Sequence, residues 1–316
     1  DTWEELEQMA AAITRDSTTD RYALNLSPRE EGPLLTFIWQ NGGRVMNEDL
    51  TRCVFDSPET VEAMRFYKSL FHRGFTPMAE SGQIDPFQAF RDGYFVSWIS
   101  GPWMVGEYRR KLPELEGKWS VAMLPGKESR TSFLGGCDLA ISRSSDEKEL
   151  AWAFVEYLSQ PETQIEWFRL TGDLPAVRAA WDAPEFSEDP IWSVFRRQLE
   201  QARPTPPLES WEPMAETIKN HMEAMILSDL PPEETAESIQ DDIEAILARR
   251  RTGRGNLDHL AGWFVGIGVL AFAGFCGLLA KRISAEGGFR RFRIPSVFLL
   301  PILAHFMIFL LIPITA

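Results

Sequence analysis

The 316-residue chain carries 32 basic and 46 acidic side chains, which gives it a formal net charge of −14. A nucleic acid would be repelled by this charge and is therefore not expected as a partner. The three cysteines, Cys53, Cys137 and Cys276, are too few and too scattered for a disulfide framework or a zinc site.

The first part of the chain predicts helices with clear start signals. Thr2 and Glu5 form a capping box that begins the first helix. Ser57-Pro58-Glu59 begins another helix with proline at its first position, and Asp85-Pro86-Phe87 opens a short one. Between the first helix and the one at Ser57 lies an apolar segment, Leu34 to Trp39, which ends at Gly42-Gly43.

The middle of the chain predicts strands, and the part after it predicts helices. Tyr94 to Ile99 is rich in β-branched and aromatic residues, residues 119–124 alternate in polarity, and residues 139–142 suggest a third short strand. Proline and glycine separate the later helical patterns, which cover 147–159, 162–171, 190–202, 210–227 and 233–250. Strands mixed with many helices predict an α/β fold.

Two apolar runs near the end of the chain predict transmembrane helices. The run at residues 260–280 is uncharged and long enough to cross a bilayer, so we assign a span to 257–281. A basic loop at 282–293 separates it from a second run at 294–316. The two spans predict a protein embedded in the lipid of the cell membrane. Short basic loops stay in the cytoplasm.

The same rule orients the chain. Residues 1–258 are expected outside the cytoplasm and 281–293 inside, although the arginines at 249–254 on the other flank make the charge bias slight. Because the chain starts without methionine and stops within an apolar run, we expect it to be a fragment of a longer protein.

The search for catalytic, metal-binding and cofactor-binding motifs is negative. The four histidines are far apart and none lies in an H-E-x-x-H frame. Gly126-Lys127 suggests the end of a phosphate-binding loop, but Val121 and Glu128 stand where that motif needs glycine and a hydroxyl residue. The sequence therefore predicts a protein that is not an enzyme and has no cofactor.

Tryptophan is abundant, with eleven residues in the chain and ten of them before the first apolar run. An indole ring packs on the C–H face of a sugar while its N–H donates a hydrogen bond. We assign Trp3, Trp152 and Trp167 to the core because they lie within helical patterns. Trp103 follows a Gly-Pro turn and Trp211 follows a proline-rich loop, so these two are better placed to line a cleft.

Several ordered motifs in residues 1–250 resemble the sugar-type family 1 of extracellular solute-binding proteins, which deliver sugars to ABC importers. The motifs are TWEELEQMAAAIT, WQNGG, DSPETVEAMRFYKSL, AFRDGYFVSWISGPW and SFLGGCDLAISRSSDEKELAWAFVEYLSQPETQ. The resemblance implies a two-lobed periplasmic-binding-protein-like fold over residues 1–256. It begins partway into the family pattern, so we expect the first lobe to be incomplete.

The resemblance also implies a set of ligand-binding residues: Trp103, Trp211, Gly136, Asp138, Trp39 and Glu31. The first two would stack on sugar. Gly136, the second residue of the double glycine Gly135-Gly136, and Asp138 after it would face the cleft and bind hydroxyl groups. The last two match positions that vary more within the family. Because no arginine cluster is evident in the sequence, a strongly anionic ligand is less expected.

The last segment, RIPSVFLLPILAHFMIFLLIPI, resembles the first span of MalF-like sugar permease subunits. Together the resemblances predict a carbohydrate-binding component tethered to its ABC permease, with a separate cytoplasmic ATPase as a further partner. The sequence does not identify the sugar or polyol. Two alternatives remain open, a membrane-anchored ligand-binding sensor and a membrane-anchored glycoside hydrolase.

Overall fold

A computed structural model describes residues 1–15, 21–78 and 85–250 of the chain. Residues Asp1–Glu244 form one compact unit, and the description below concerns that unit. Its helices are α1 (Trp3–Arg15), α2 (Glu31–Gln40), α3 (Pro58–His72), α4 (Pro86–Arg91), α5 (Trp103–Lys111), α6 (Lys148–Leu158), α7 (Pro161–Thr171), α8 (Pro184–Ser187), α9 (Pro190–Leu199) and α10 (Trp211–Leu227). Residues 232–250 are also helical.

The predicted helix starts are confirmed at the level of individual hydrogen bonds. Thr2 Oγ1 accepts from the Glu5 N–H at 3.2 Å, and the Glu5 carboxylate accepts from the Thr2 N–H at 3.0 Å. Ser57 caps α3 by accepting from the Thr60 N–H at 3.3 Å. Asp85 caps α4 in the same way. These side chains satisfy backbone donors that have no partner within the helix.

The strands are short and pair in parallel. They are β1 (Tyr22–Asn25), β2 (Phe95–Trp98), β3 (Ser132–Phe133) and β4 (Ala202–Arg203). β1 pairs with β2, with Leu24 opposite Ser97, and β3 pairs with β4, with Phe133 opposite Arg203. Parallel pairs need long crossover connections, which the helices supply here, and the predicted α/β class is confirmed.

Two predicted strands are wrong. Residues 119–124 and 139–142 have no strand structure. In the first segment the Leu124 N–H donates to the side-chain oxygen of Gln198 at 3.0 Å rather than to a neighbouring strand. In the second segment Leu139 is 61% exposed. A pattern of alternating polarity forms a strand only where another strand is available to complete its hydrogen bonds.

One part of the core forms around α1, α2 and α3. The Trp3 ring stacks on Phe66 with centroids 4.2 Å apart, and Phe37 meets Trp3 edge-on. Beside them, α10 and residues 232–244 bury a row of apolar side chains: Met214, Ile218, Met222, Met225, Ile239 and Ile243. The core assignment of Trp3 is therefore confirmed.

A second part of the core is built mainly by aromatic residues from α5 and α7 to α9. One cluster comprises Val105, Phe168, Trp181, Phe186 and Trp192. A neighbouring cluster comprises Phe87, Met104, Tyr108 and Leu112. Through Met104, Val105 and Tyr108, α5 contributes to both clusters, so the start of this helix rests on a well-packed base.

The helix α6 differs from the others because none of its residues is buried. Its exposed large apolar side chains are Leu150, Trp152, Phe154 and Tyr157. Trp167 on α7 is exposed as well, at 49%. The core assignments of Trp152 and Trp167 are therefore wrong for the described residues, because a helical pattern does not reveal whether another element covers its apolar face.

None of the helices that the structure describes is both long enough and apolar enough to cross a bilayer. The predicted spans at 257–281 and 294–316 and the predicted loop at 282–293 lie outside the described residues.

Two glycines provide a matched test of how tightly the helices pack. A Cβ atom on Gly43 would lie 2.6 Å from Thr60 Oγ1 and 2.8 Å from Ile38 Cγ2, whereas one on Gly106 in α5 would meet nothing within 4 Å. We expect Gly43→Ala to lower the free energy of unfolding by about 1–3 kcal/mol because it overpacks the core. Gly106→Ala should raise it by about 0.5–1 kcal/mol because alanine favours helix.

Urea denaturation of the full-length variants measures both changes. Equal midpoints for Gly43→Ala and the unsubstituted protein would contradict the close packing of α2 against α3 at this turn.

Candidate functional site

Trp103 is presented at the surface at the start of α5. Its side chain is 52% exposed, and its ring folds back over Gly101, where a Cβ atom would lie only 1.9 Å from Trp103 Cζ3. Glycine is therefore needed at that position. The next residues, Met104 and Val105, are buried and hold the helix in place. The result is a broad aromatic face on a rigid base, as a stacking platform requires.

Trp211 begins α10 directly after the proline-rich loop. Its side chain is half-buried, and its backbone N–H donates to the Leu208 carbonyl at 2.9 Å. Ser210 before it and Met214 after it are buried. The ring is thus fixed at a helix start with part of its surface available to a ligand.

The segment after the double glycine is exposed. Gly136, Cys137 and Asp138 all lie at the surface, and a Cβ atom on Gly136 would meet nothing within 4 Å. The surface beside Gly136 is therefore open. The structure does not join them to Trp103 or Trp211 through a hydrogen bond or ring contact among the described residues.

Glu31 begins α2 and lies in a network of charged side chains. Its carboxylate is 3.4 Å from Lys219 Nζ on α10, and that ammonium is also 2.7 Å from Glu216. The hydrogen bond that Lys219 donates to the Glu216 carboxylate is the main reason that the pKa of Lys219 is raised. Arg29 extends the network to Glu223 at 2.9 Å. Glu31 is thus engaged with α10, which orients the start of α2.

Trp39 is buried, with 5% of its surface exposed. Its ring lies parallel to that of Phe133 on β3, with an interplanar angle of 5° and centroids 6.1 Å apart. The guanidinium carbon of Arg203 on β4 is 5.8 Å from the Trp39 ring. We call Trp39, Phe133 and Arg203 the aromatic–arginine cluster.

The two strands of this cluster bring its members together. Phe133 and Arg203 are opposite each other in the β3–β4 pair, and the Leu134 N–H donates to the Arg203 carbonyl at 2.8 Å. A Cβ atom on Gly32, next to Glu31, would lie 3.6 Å from the Phe133 ring. The start of α2 is therefore close to the cluster.

Sequence analysis missed Phe133 and Arg203. Both strands are two residues long, and the helix predicted over 190–202 ends at Leu199. A local signal did exist, since Arg203 precedes Pro204 and a residue before proline favours extended backbone. No group of three or more potential metal ligands occurs in the described part of the chain.

Comparisons with known proteins identify the class to which this α/β fold belongs. Residues 1–193 match the family model of bacterial extracellular solute-binding proteins. The structure resembles the sugar-binding protein MalE from Xanthomonas citri with a TM-score of 0.73 and 32% identity, covering 79% of this chain and 64% of that one. The chain therefore has the two-lobed periplasmic-binding-protein-like fold.

Curated sequences give the same result. A binding protein of Brucella abortus is 25% identical over 254 residues, which are 78% of this chain and 61% of the relative. An arabinooligosaccharide-binding protein of Halalkalibacterium halodurans is 26% identical over 166 residues, which are 50% of this chain and 37% of the relative.

The chain belongs to the bacterial extracellular solute-binding proteins. Its relatives are binding proteins rather than enzymes, in agreement with the prediction of a non-enzymatic protein. The chain spans 64% and 61% of the lengths of the MalE structure and the Brucella protein.

The two described cysteines provide a chemical test of the exposed segment. Cys137 is exposed and Cys53 is buried, and burial raises the pKa of the Cys53 thiol to about 12. Because the thiolate is the reactive form, we expect iodoacetamide at pH 8 to alkylate Cys137 at least about a hundredfold faster than Cys53.

Mass spectrometry of the full-length Cys276→Ser variant gives both rates, and unfolding in urea should make them similar. A slow native rate at Cys137 would show that the segment after the double glycine is covered.

Proposed function

We propose that the protein is the sugar-binding component of an ABC importer. The observation that carries this proposal is the membership in the solute-binding family together with the likeness to a sugar-binding MalE at 32% identity. The arabinooligosaccharide-binding relative supports the same ligand class. The predicted ligand residues of this chain are Trp103, Trp211, Gly136, Asp138, Trp39 and Glu31.

The geometry supports a role in sugar binding for Trp103 and Trp211. Neutral saccharides offer apolar C–H faces and a ring of hydroxyl groups, so their sites combine aromatic platforms with polar groups. Trp103 presents a largely exposed indole at a helix start, and Trp211 presents a half-buried one. The exposed Asp138 carboxylate is available to accept hydrogen bonds from hydroxyls.

Trp39 and Glu31 have a different role in this proposal. Trp39 is packed beneath Phe133, and Glu31 is paired with Lys219. We infer that they shape the site by holding their neighbours in place. Closure of the two lobes on the ligand would bring Trp103 and Trp211 together. The short β3–β4 pair would act as part of the hinge.

Titration of the full-length protein with mono- and oligosaccharides by isothermal calorimetry tests this function. We expect saturable binding, with Trp103→Ala and Trp211→Ala each lowering affinity about tenfold to hundredfold because a stacking surface is lost. Trp167→Ala is the matched control, since this indole is similarly exposed but lies on α7. The control should bind like the unsubstituted protein.

Urea midpoints distinguish loss of a contact from loss of the fold. Failure of all saccharides to bind would overturn the proposed function. Normal affinity in both tryptophan variants would leave a sugar-binding protein whose site lies elsewhere.

We further propose that a binding domain at residues 1–256 is tethered to the permease by the predicted spans. The order of a binding domain, an apolar run, a basic loop and a permease-like segment supports this arrangement. A tether raises the effective concentration of the receptor at its permease, so the two need not bind tightly. Energy would come from a separate cytoplasmic ATPase.

Cysteine labelling also tests the tether and its orientation. In spheroplasts, a membrane-impermeant maleimide should modify Cys137, which is exposed in the proposed extracytoplasmic domain, but not Cys276 in the first predicted span. The label should disappear in the Cys137→Ser variant. Labelling of Cys137 only after lysis would contradict the orientation, and release of the protein by alkaline carbonate would contradict the tether.

A further inference from the structure

Arg203 differs from most arginines of the described structure because its charge has no partner there. Its side chain is half-buried, yet no salt bridge or side-chain hydrogen bond joins it to another described residue. By contrast, Arg29, Arg65 and Arg169 are each paired with glutamate. The Arg203 guanidinium lies over the Trp39 ring, with its carbon 5.8 Å from the ring centroid.

This position is electrostatically unfavourable without a ligand. Burial lowers the pKa of Arg203, and the nearby positive charge of Arg44 lowers it further. Arg44 itself is exposed and pairs with Glu48 at 3.1 Å. The Glu48 carboxylate is therefore paired with Arg44 and not with Arg203. A partly buried charge that lacks a partner costs free energy, which an incoming anion would recover.

The aromatic ring beside Arg203 is only partly covered. Phe133, beside Arg203 in the β3–β4 pair, is half-buried and is flanked by Gly32 and Gly135. Neither glycine adds a side chain that would cover the ring. An aromatic face and an arginine fork are therefore adjacent, on two paired parallel strands.

We propose that Arg203 binds the carboxylate of an acidic saccharide, such as a uronic acid, with the Phe133 ring against the sugar. This inference rests on the proposed function and specifies its substrate class. A guanidinium presents parallel N–H donors that match a carboxylate in a bidentate manner. A phosphate monoester carries nearly two charges and more acceptor oxygens, which one half-buried guanidinium matches less well.

This ligand class differs from the sequence-based expectation, which disfavoured a strongly anionic ligand because no arginine cluster was evident. The structure places Arg203 and Arg44, 159 positions apart in the chain, close enough for one to affect the other. A single carboxylate needs one such fork rather than a cluster.

Calorimetry with matched sugars tests the proposal in the full-length protein. The pairs are galacturonate oligosaccharides against neutral galacto-oligosaccharides of equal length, and glucuronate against glucose. We expect the acidic member to bind about tenfold to hundredfold more tightly at low salt, because a hydrogen bond to a charged group is stronger than a neutral one. Added salt should reduce the preference.

Three variants locate the effect. Arg203→Gln should abolish the preference for the acidic sugar, and Arg203→Lys should retain part of it. Arg197→Gln is the matched control, since Arg197 on α9 is exposed and is not ion-paired with any described residue. Urea midpoints confirm that each variant folds.

The outcomes separate this inference from the proposed function. Equal affinity for neutral and acidic sugars, or a preference that persists in Arg203→Gln, would overturn the acidic-saccharide proposal and leave sugar binding intact. Tighter binding of the matching sugar phosphate would overturn the assignment to a carboxylate. Absence of binding by every saccharide would overturn the proposed function and this inference with it.

Discussion

The hydrogen bonds of Gln40 join the parts of the structure on which the site depends. The side chain is fully buried and accepts from the Trp3 indole at 2.7 Å while donating to the Thr131 carbonyl at 3.0 Å. Its backbone carbonyl accepts from the N–H groups of Glu128 and Ser129. One residue at the end of α2 therefore fixes α1 and the turn that leads into β3. Buried polar groups of this kind are costly to leave unpaired, so the arrangement is specific.

The position of β3 then determines the aromatic–arginine cluster. With the chain held at Thr131, Phe133 comes to lie parallel to Trp39 and opposite Arg203. At the other end of α2, Glu31 and Lys219 connect the helix to α10. Surface ion pairs of this kind contribute little to stability, but they restrict the direction of the helix start. α2 thus links α10 to the β3–β4 pair.

Local chemistry was predictable where it depends on neighbours in the chain. The capping hydrogen bonds of Thr2 and Ser57 formed as expected, because the partners are only three residues away. The exposed Trp103 follows from its place after a Gly-Pro turn. Prediction failed for Trp152 and for residues 119–124, because burial and strand pairing depend on which distant element lies alongside.

The amino-acid sequence by itself determined the α/β class, the helix starts and the membership in the solute-binding family. It also determined which side chains have the chemistry to bind a saccharide. Only the tertiary structure decided that Trp39 is covered by Phe133 and that Arg203 lies beside them without a carboxylate partner among the described residues. The physical reason is that a two-residue parallel pair has almost no local signal. Its hydrogen bonds, and the charges it brings together, exist only after segments about seventy residues apart have met.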